Sequence, residues 1–157
     1  SPKKILEIGT YTGYSAICLC EGMDKDGVLH TIDNNKELVE IQNKYFKKAN
    51  LKDKIVQHSG DAKNIIPSID EEFDIVFIDA DKESYPEYYD LIINKVRSGG
   101  IIIADNILWS GKILEKVEKD DQATKSIIEF NNKIIEDNRV KNIILPIRDG
   151  LNIIRKN

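Results

Sequence analysis

Short runs of isoleucine and valine recur along the chain, and each is followed by a more polar stretch. The runs lie at Ile5–Ile8, Val28–Ile32, Ile55–Val56, Ile75–Ile78 and Ile101–Ala104. Runs of this length and composition are typical of strands buried in a parallel sheet. Apolar residues at helical spacing occur between the runs; Leu38, Ile41 and Tyr45, for example, predict one apolar helix face. The chain is therefore predicted to alternate strands with helices.

The C-terminal part of the chain follows a different pattern. A helix is predicted around Thr124 to Asn138, followed by apolar runs over Val140–Ile147 and Leu151–Arg155. The turn Arg148-Asp149-Gly150 between these runs is a typical hairpin sequence. Five strand–helix units and a hairpin predict an α/β fold: a Rossmann-like, doubly wound sheet of seven mostly parallel strands, covered on both faces, with a C-terminal antiparallel hairpin strand. No linker interrupts the pattern, so residues 1–157 are predicted to form a single domain.

Two helix starts carry the residues of a capping box. Asn34 is followed three residues later by Glu37, and Ser84 by Glu87, with Pro86 before the glutamate. A side-chain oxygen at the first of these positions accepts a hydrogen bond from a free backbone N–H of the first turn. Helices are therefore predicted to begin close to Asn34 and Ser84.

The composition narrows the range of partners and compartments. Of the 157 residues, 41% are hydrophobic and 32% are charged, which is ordinary for a globular domain. A formal net charge of −4 gives no electrostatic reason to bind nucleic acid or an anionic membrane, so a small molecule is the favoured partner. No apolar run approaches the roughly 20 residues of a membrane span, and the first residues do not form a signal peptide. We therefore expect a cytoplasmic protein.

The two cysteines, Cys18 and Cys20, are only two positions apart. Zinc and redox sites usually place two residues between paired cysteines and use further ligands elsewhere. Both thiols are therefore predicted to belong to the core.

In a sheet of this kind, ligands bind beyond the carboxyl ends of the strands. The first strand is followed by Gly9-Thr10-Tyr11-Thr12-Gly13, in which two glycines bracket a tight turn. A dinucleotide fingerprint would need a third glycine where Tyr11 stands, so a nucleoside ligand without a pyrophosphate is favoured. Asp33 ends the second strand, where it could bind both hydroxyls of a ribose or could instead cap the next helix. Asp61 and Ala62, after the third strand, are placed to contact an adenine.

The ends of the fourth and fifth strands carry the most informative residues. Asp79 follows one strand, and Asp105 and Asn106 follow the next. Three oxygen ligands without sulfur or imidazole suit Mg²⁺, Mn²⁺ or Ca²⁺ rather than Zn²⁺. The alternative is that the two aspartates only cap loops or form an ion pair with Lys82. Clustered carboxylates repel one another unless a cation is present, which favours a metal or a positively charged ligand.

Three segments resemble the motifs of the cation-dependent O-methyltransferases, the family that includes catechol and caffeoyl-coenzyme A O-methyltransferases and many bacterial relatives. The segments are Leu6–Ser15 (LEIGTYTGYS), Phe77–Lys82 (FIDADK) and Asp105–Trp109 (DNILW), in the order and approximate spacing of the family. The resemblance extends over nearly the whole chain. It implies metal-dependent methyl transfer from S-adenosylmethionine to a hydroxyl of a small, catechol-like substrate with two adjacent hydroxyl groups.

The resemblance also implies roles for individual residues. The expected S-adenosylmethionine site comprises Glu7, Gly9, Thr10, Tyr11, Ser15, Asp33, Asp61, Ala62, Asp79 and Asp81. The expected ligands of a divalent cation, Mg²⁺ by preference, are Asp79, Asp105 and Asn106. Lys82 matches the catalytic base, which takes the proton from the attacking hydroxyl. Trp109 and Ser110 are expected in one wall of the substrate site, although a single tryptophan serves packing as often as recognition.

Members of the family carry additional N-terminal helices that help to cover cofactor and substrate, whereas the first strand here begins at Ile5. The chain is therefore expected to lack an N-terminal segment. Family members are often dimers, so the resemblance also implies a homodimer as one form of assembly.

Two other functions are consistent with the sequence. Some bacterial relatives methylate a hydroxylated tRNA base. The lysines that could contact phosphates in such a complex are Lys44, Lys47, Lys48, Lys52 and Lys54, and a solvated helix face explains them as well. The second alternative is a domain that binds the cofactor but has lost catalysis, and the presence of Asp79, Lys82, Asp105 and Asn106 argues against it.

Overall fold

Strands and helices alternate, as predicted, in the computed structural model, which describes residues 1–157. The strands are β1 (Lys4–Ile8), β2 (Val28–Asp33), β3 (Ile55–Ser59), β4 (Phe73–Ile78), β5 (Val96–Asp105), β6 (Val140–Leu145) and β7 (Leu151–Lys156). The α-helices are α1 (Tyr14–Glu21), α2 (Val39–Lys48), α3 (Ala62–Ile65), α4 (Tyr85–Ile92) and α5 (Gln122–Glu136). Short 3₁₀ segments cover Lys36–Leu38, Ile66–Ser68, Lys82–Ser84 and Trp109–Leu114.

All seven strands form one sheet in the order β3-β2-β1-β4-β5-β7-β6. Neighbours among β1 to β5 pair in parallel, whereas β7 is antiparallel to both β5 and β6. The order reverses direction between β1 and β4, which is the point at which ligands bind in such sheets. The predicted Rossmann-like α/β fold and its hairpin are confirmed. The hairpin is not simply added at the edge, because its second strand is inserted between β5 and β6.

Most of the core lies on one face of the sheet, beneath α3, α4 and α5. Alternate residues of β4 and β5, such as Val76 and Ile102, are fully buried there. Phe130 of α5 meets Tyr85 and Tyr89 of α4 edge to face, with ring centroids 5.5 and 6.2 Å apart. Such pairs contribute about 0.5–1.5 kcal/mol beyond the burial of their area. The two helices are thereby fixed against each other near the end of β4.

The opposite face of the sheet is covered unevenly. α1 and α2 pack on the half formed by β1 to β3, through residues such as Phe46. On the other half, the register aligns Phe77, Ile103, Ile153 and Ile143 across four strands. None of these four side chains is buried, and Ile143 is 58% exposed. The prediction of a sheet covered on both faces is therefore wrong for this half, because its side chains are not buried.

The buried face of α2 differs from the predicted one. Gln42 and Phe46 are buried, whereas Ile41 and Tyr45 are 38% and 42% exposed. Gln42 donates a hydrogen bond of 2.7 Å to the backbone oxygen of Tyr11 and accepts another from a side chain of β3. A buried polar residue is tolerated when its groups are paired in this way. The spacing of apolar residues alone does not reveal such a face.

The helix starts lie close to the predicted positions, but the caps differ. Asn35, rather than Asn34, caps the segment before α2, and its side-chain oxygen accepts a 3.0 Å hydrogen bond from the backbone N–H of Glu37. Ser84 precedes α4 as predicted but makes no capping hydrogen bond with its side chain.

The two cysteines point to opposite sides of α1. Cys20 is buried and Cys18 is exposed, because residues two apart on a helix are separated by about 200° around its axis. The prediction that both belong to the core is wrong for Cys18. None of the helices is both long and apolar enough to span a bilayer.

Candidate functional site

A cleft of about 410 Å³ opens at the carboxyl ends of β1 to β4. Small-molecule sites commonly measure roughly 300–1,000 Å³. Seven residues that were predicted to bind the cofactor line it: Gly9, Tyr11, Asp33, Asp61, Ala62, Asp79 and Asp81. It is also lined by Asn34, Lys63, Ser84 and Tyr88, which were not predicted to bind a ligand. The loops after four neighbouring strands therefore converge on one site.

Gly9 lets the loop after β1 lie directly against the loop after β4. Its φ is +100°, and a Cβ atom at this position would lie only 1.9 Å from the backbone oxygen of Asp79. Tyr11 also has a positive φ, of 46°. It is held there by Asp33, which accepts a 2.7 Å hydrogen bond from its backbone N–H, and by Gln42, which donates to its backbone oxygen. A side chain at residue 9 would therefore separate two loops of the site.

Asp33 organises the turns around the cleft. One carboxylate oxygen accepts from the backbone N–H of Tyr11, and the other accepts a 2.8 Å bond from that of Asn35. The alternative role of a turn-capping residue is therefore present in the structure. The side chain also lines the cleft, and each carboxylate oxygen has a further lone pair, so the contact with a ribose stays a prediction. Asp61 likewise caps α3 by accepting a 2.9 Å bond from the backbone N–H of Lys63.

Glu7 is fully buried at the end of β1. Its Oε2 accepts a 2.5 Å hydrogen bond from the Thr31 hydroxyl, which also lies 2.5 Å from the hydroxyl of Thr10. Its Oε1 has no hydrogen-bond partner. Burial raises the pKa of Glu7 to about 7, although the hydrogen bond from Thr31 and the nearby Ser15 hydroxyl oppose the rise. A buried carboxyl with an unpaired oxygen suits a ligand that brings a cationic group.

Replacing Glu7 with glutamine is expected to change how stability depends on pH. Because the pKa of Glu7 is raised from 4.5 to about 7 on folding, the folded state binds more protons between these values than the unfolded state. The free energy of unfolding therefore falls as pH rises through this window, by about 3 kcal/mol in total. Between about pH 4 and about pH 8, the free energy of unfolding of Glu7→Gln, measured with urea, should rise relative to that of wild type by up to this amount.

Glu72→Gln provides the matched control. Glu72 is exposed and takes part in no hydrogen bond or ion pair of the structure. Its replacement should change the free energy of unfolding by the same amount at every pH in this range. A pH dependence of Glu7→Gln that matches wild type would contradict the assignment of the raised pKa.

The predicted base lies at the rim between β4 and β5. Lys82 is only 9% exposed, and its Nζ lies 3.0 Å from Asp79 Oδ1 and 2.5 Å from the Tyr85 hydroxyl. That hydroxyl faces the backbone oxygens of Asp105 and Ile78, at 3.0 and 3.2 Å. The ion pair that was the alternative role of Lys82 and Asp79 is therefore present. A buried tyrosine links this pair to the ends of both strands.

The residues predicted to bind a metal lie on adjoining strands. Ile78 pairs with Ala104 in the parallel register, so Asp79 and Asp105 leave the sheet at the same edge. Asn106 follows with a φ of 61°, and its backbone N–H donates a 2.6 Å bond to Asp105 Oδ1. The structure contains no group of three or more His, Cys, Asp or Glu side chains positioned to hold a metal ion. Two carboxylates and one amide nevertheless fit a hard cation that retains several waters, as Mg²⁺ does.

Trp109 and Ser110 do not line the cleft. Trp109 packs against the larger core cluster, and its indole N–H is buried without a hydrogen-bond partner. Ser110 has a φ of 54°, and its backbone N–H donates a 2.5 Å bond to Asp149 in the β6–β7 turn. The packing role of Trp109 is therefore present in the structure, and its contact with a substrate stays a prediction.

Three residues that hold the site were missed by the sequence motifs: Thr31, Tyr85 and Tyr88. The Tyr88 hydroxyl donates a 2.5 Å bond to Asp81. Tyr88 follows Asp81 by seven positions, or two helical turns, so helical spacing was an available signal. Thr31 has no such signal, because it reaches Glu7 through the pairing of β2 with β1.

Three other features of the surface are candidates for a site: a second depression, a pair of histidines and the basic run. A broader depression of about 770 Å³ lies between α4 and α5, and eight of its ten lining residues are polar or charged. His30 and His58 bond to each other at 3.0 Å on β2 and β3. None of the five lysines of the basic run lines the cleft. The cleft at the strand ends is therefore the site that combines depth with reactive groups.

The chain is similar to known proteins over nearly its whole length. A family model described as O-methyltransferase matches residues 1–157. The chain is 32% identical to tricin synthase 2 of Oryza sativa subsp. japonica and 34% identical to caffeoyl-CoA O-methyltransferase of Populus kitakamiensis, in both cases over 98% of its length. The crystal structure of the O-methyltransferase from Bacillus cereus in complex with SAH matches 99% of the chain with a TM-score of 0.95 and 30% identity.

These relatives are longer than the chain. It spans 56% of tricin synthase 2, 70% of the Populus protein and 74% of the Bacillus chain. The similarity therefore concerns the domain described above and not the remaining parts of those proteins.

Proposed function

Because the chain belongs to the O-methyltransferase family, we propose that it transfers a methyl group from S-adenosylmethionine to a hydroxyl of a small aromatic substrate with two adjacent hydroxyls, with the help of a divalent cation. The observation that carries the proposal is the position of Lys82, whose amine is held by Tyr85 and by Asp79, a residue that lines the cleft. A basic amine beside oxygen ligands for a cation is the combination that this reaction requires.

The cofactor is proposed to lie along the loops after β1, β2 and β3. Asp61 and Ala62 would contact its adenine, and Asp33 its ribose hydroxyls. Glu7 would lie beneath the cationic amino group, whose charge favours the ionised carboxylate. The methionine part would lie along the glycine turn. Support comes from the Bacillus cereus O-methyltransferase, which shares this fold and was solved in complex with SAH.

In the proposed reaction, Lys82 accepts the proton of the attacking hydroxyl. The oxygen forms a bond with the methyl carbon, the carbon–sulfur bond breaks, and its electron pair stays on sulfur, which leaves S-adenosylhomocysteine. A divalent cation held by Asp79, Asp105 and Asn106 would supply a Lewis acid that lowers the pKa of the substrate hydroxyls and orients them. The protein contributes mainly by bringing oxygen, carbon and sulfur into line.

Removing the divalent cation is expected to abolish turnover. The protein is incubated with S-adenosylmethionine and a panel of catechols in Mg²⁺, in EDTA, and in EDTA followed by excess Mg²⁺, and the methyl ethers are quantified by mass spectrometry. Since Lewis-acid stabilisation is worth several kcal/mol, EDTA should lower the rate by about 10²-fold or more, and Mg²⁺ should restore it. Calorimetric titration with S-adenosylhomocysteine in EDTA shows whether the cofactor still binds.

The remaining outcomes distinguish the alternatives. Turnover that is unchanged by EDTA would contradict the metal requirement. Methylation of tRNA but of no catechol, with binding weakened by salt, would contradict the substrate class and favour the tRNA function. Cofactor binding without turnover on either acceptor would favour the inactive binding module.

A further inference from the structure

We propose that Tyr85 is a positioning residue, which fixes the direction of the lone pair on the Lys82 amine. The inference rests on the proposed function, in which Lys82 is the base. Tyr85 does not line the cleft and is not one of the proposed metal ligands. It would act only through Lys82.

The Tyr85 hydroxyl is held rigidly. Its ring is fully buried and meets Phe130 edge to face at 5.5 Å between centroids. The hydroxyl oxygen lies 3.0 Å from the backbone oxygen of Asp105 and 3.2 Å from that of Ile78. Both of these groups can only accept, so the single hydroxyl proton is directed toward them. The hydroxyl must therefore act as an acceptor toward Lys82.

Lys82 Nζ then has two fixed acceptors. They are the Tyr85 hydroxyl at 2.5 Å and Asp79 Oδ1 at 3.0 Å. A neutral lysine amine carries two N–H bonds and one lone pair in tetrahedral arrangement. With both N–H bonds occupied, the lone pair has only one direction left. Because the tyrosine oxygen is anchored to the backbone of both strands, this direction is set by the fold and not by the flexible lysine chain.

Asp79 alone would not fix this direction. Its side chain is 45% exposed, and it is also the proposed metal ligand on this loop. With one hydrogen bond, the second N–H and the lone pair of a neutral amine can exchange positions, whereas two hydrogen bonds define both. Tyr85 therefore supplies the constraint that Asp79 lacks.

The matched pair of variants is Tyr85→Phe and Tyr89→Phe. Both tyrosines are fully buried on α4 and pack on Phe130, but the Tyr89 hydroxyl bonds to Asp137, away from the cleft. Tyr85→Phe should lower kcat about 10- to 100-fold, as expected for a misaligned reacting group, with KM for the acceptor and affinity for S-adenosylhomocysteine changed less than about twofold. Tyr89→Phe should lower thermal stability without lowering kcat.

A double-variant cycle tests whether Tyr85 acts through Lys82. In the Lys82→Met background, Tyr85→Phe should cause no further fall in the residual rate. A further fall of about tenfold or more, or an equal fall in kcat for Tyr85→Phe and Tyr89→Phe, would overturn the inference.

A second readout does not depend on turnover. In ¹H–¹⁵N spectra of the cofactor-free protein, the Lys82 ammonium signal is assigned by its absence in Lys82→Met. Protection from exchange should keep this signal visible in wild type and in Tyr89→Phe, and it should be lost in Tyr85→Phe. Survival of the signal in Tyr85→Phe would overturn the inference even if the protein methylates no acceptor. Loss of the signal in a protein without turnover would support the positioning contact and contradict only the proposed function.

Discussion

Replacing Lys82 with methionine is expected to lower kcat for methyl transfer by about 10²- to 10⁴-fold, the range that general bases contribute. Methionine fills nearly the same volume as the buried lysine chain but cannot accept a proton. The cost in stability should be small, because the Asp79 side chain that loses its partner is 45% exposed and can be hydrated instead. Steady-state kinetics and urea unfolding of the same preparations measure the two effects.

Lys4→Met is the control for the loss of an ion pair. Lys4 contacts Glu71 at 2.6 Å, at the opposite end of β1 from the cleft. Lys4→Met should change kcat by less than about twofold, because this surface ion pair is remote from the cleft. If Lys82→Met instead loses stability while kcat is retained, Lys82 is only the partner of Asp79 and another group must accept the proton.

Replacing Gly9 with alanine is expected to remove cofactor binding and to lower the free energy of unfolding by at least about 3 kcal/mol. The new Cβ would lie 1.9 Å from the backbone oxygen of Asp79, which cannot move without shifting the loop that carries Asp81 and Lys82. The backbone at residue 9 must also keep a φ of +100°, which an L side chain rarely adopts. Urea unfolding and titration with S-adenosylhomocysteine measure the two losses.

Gly111→Ala separates the two causes of this loss. Gly111 has a similar positive φ, of +82°, but a Cβ there would meet no atom within 4 Å. It should cost only about 1–2 kcal/mol and leave cofactor affinity unchanged. Equal losses in the two variants would show that backbone conformation, rather than the close approach of two loops, makes glycine necessary at residue 9.

The strands, and the edge of the sheet at which the site lies, could be predicted from the sequence because both depend on local patterns. Each strand contains at least two isoleucine or valine residues, which favour an extended backbone. Since parallel strands end at a common edge, the positions of Asp79 and Asp105 follow from their strands alone. The same rule brings Gly9, Asp33 and Asp61 to one cleft.

The contacts that hold the site could not be predicted, because they depend on pairing between distant segments. Thr31 reaches Glu7 only through the register of β2 with β1. Gln42 is buried because it bonds to the Tyr11 carbonyl, 31 positions away. The uncovered half of the sheet could not be predicted from the apolar pattern, because its strands are as rich in apolar residues as those of the covered half. Local patterns therefore predict where reactive groups lie, and long-range pairing decides how they are held.

The insertion of β7 between β5 and β6 also fixes an order of events in time. The edge strand β6 pairs with β7 alone, and β7 is the last strand in sequence. When residue 150 has just been added, every residue of β6 has been synthesised, but β7, its only partner strand, has not. β1 to β5 can pair earlier, whereas the final two strands must join the sheet together, as a hairpin, after residues 151–156 have emerged. Until then the outer edge of β5 has no partner strand, and an unpaired strand edge is a template for association with other chains.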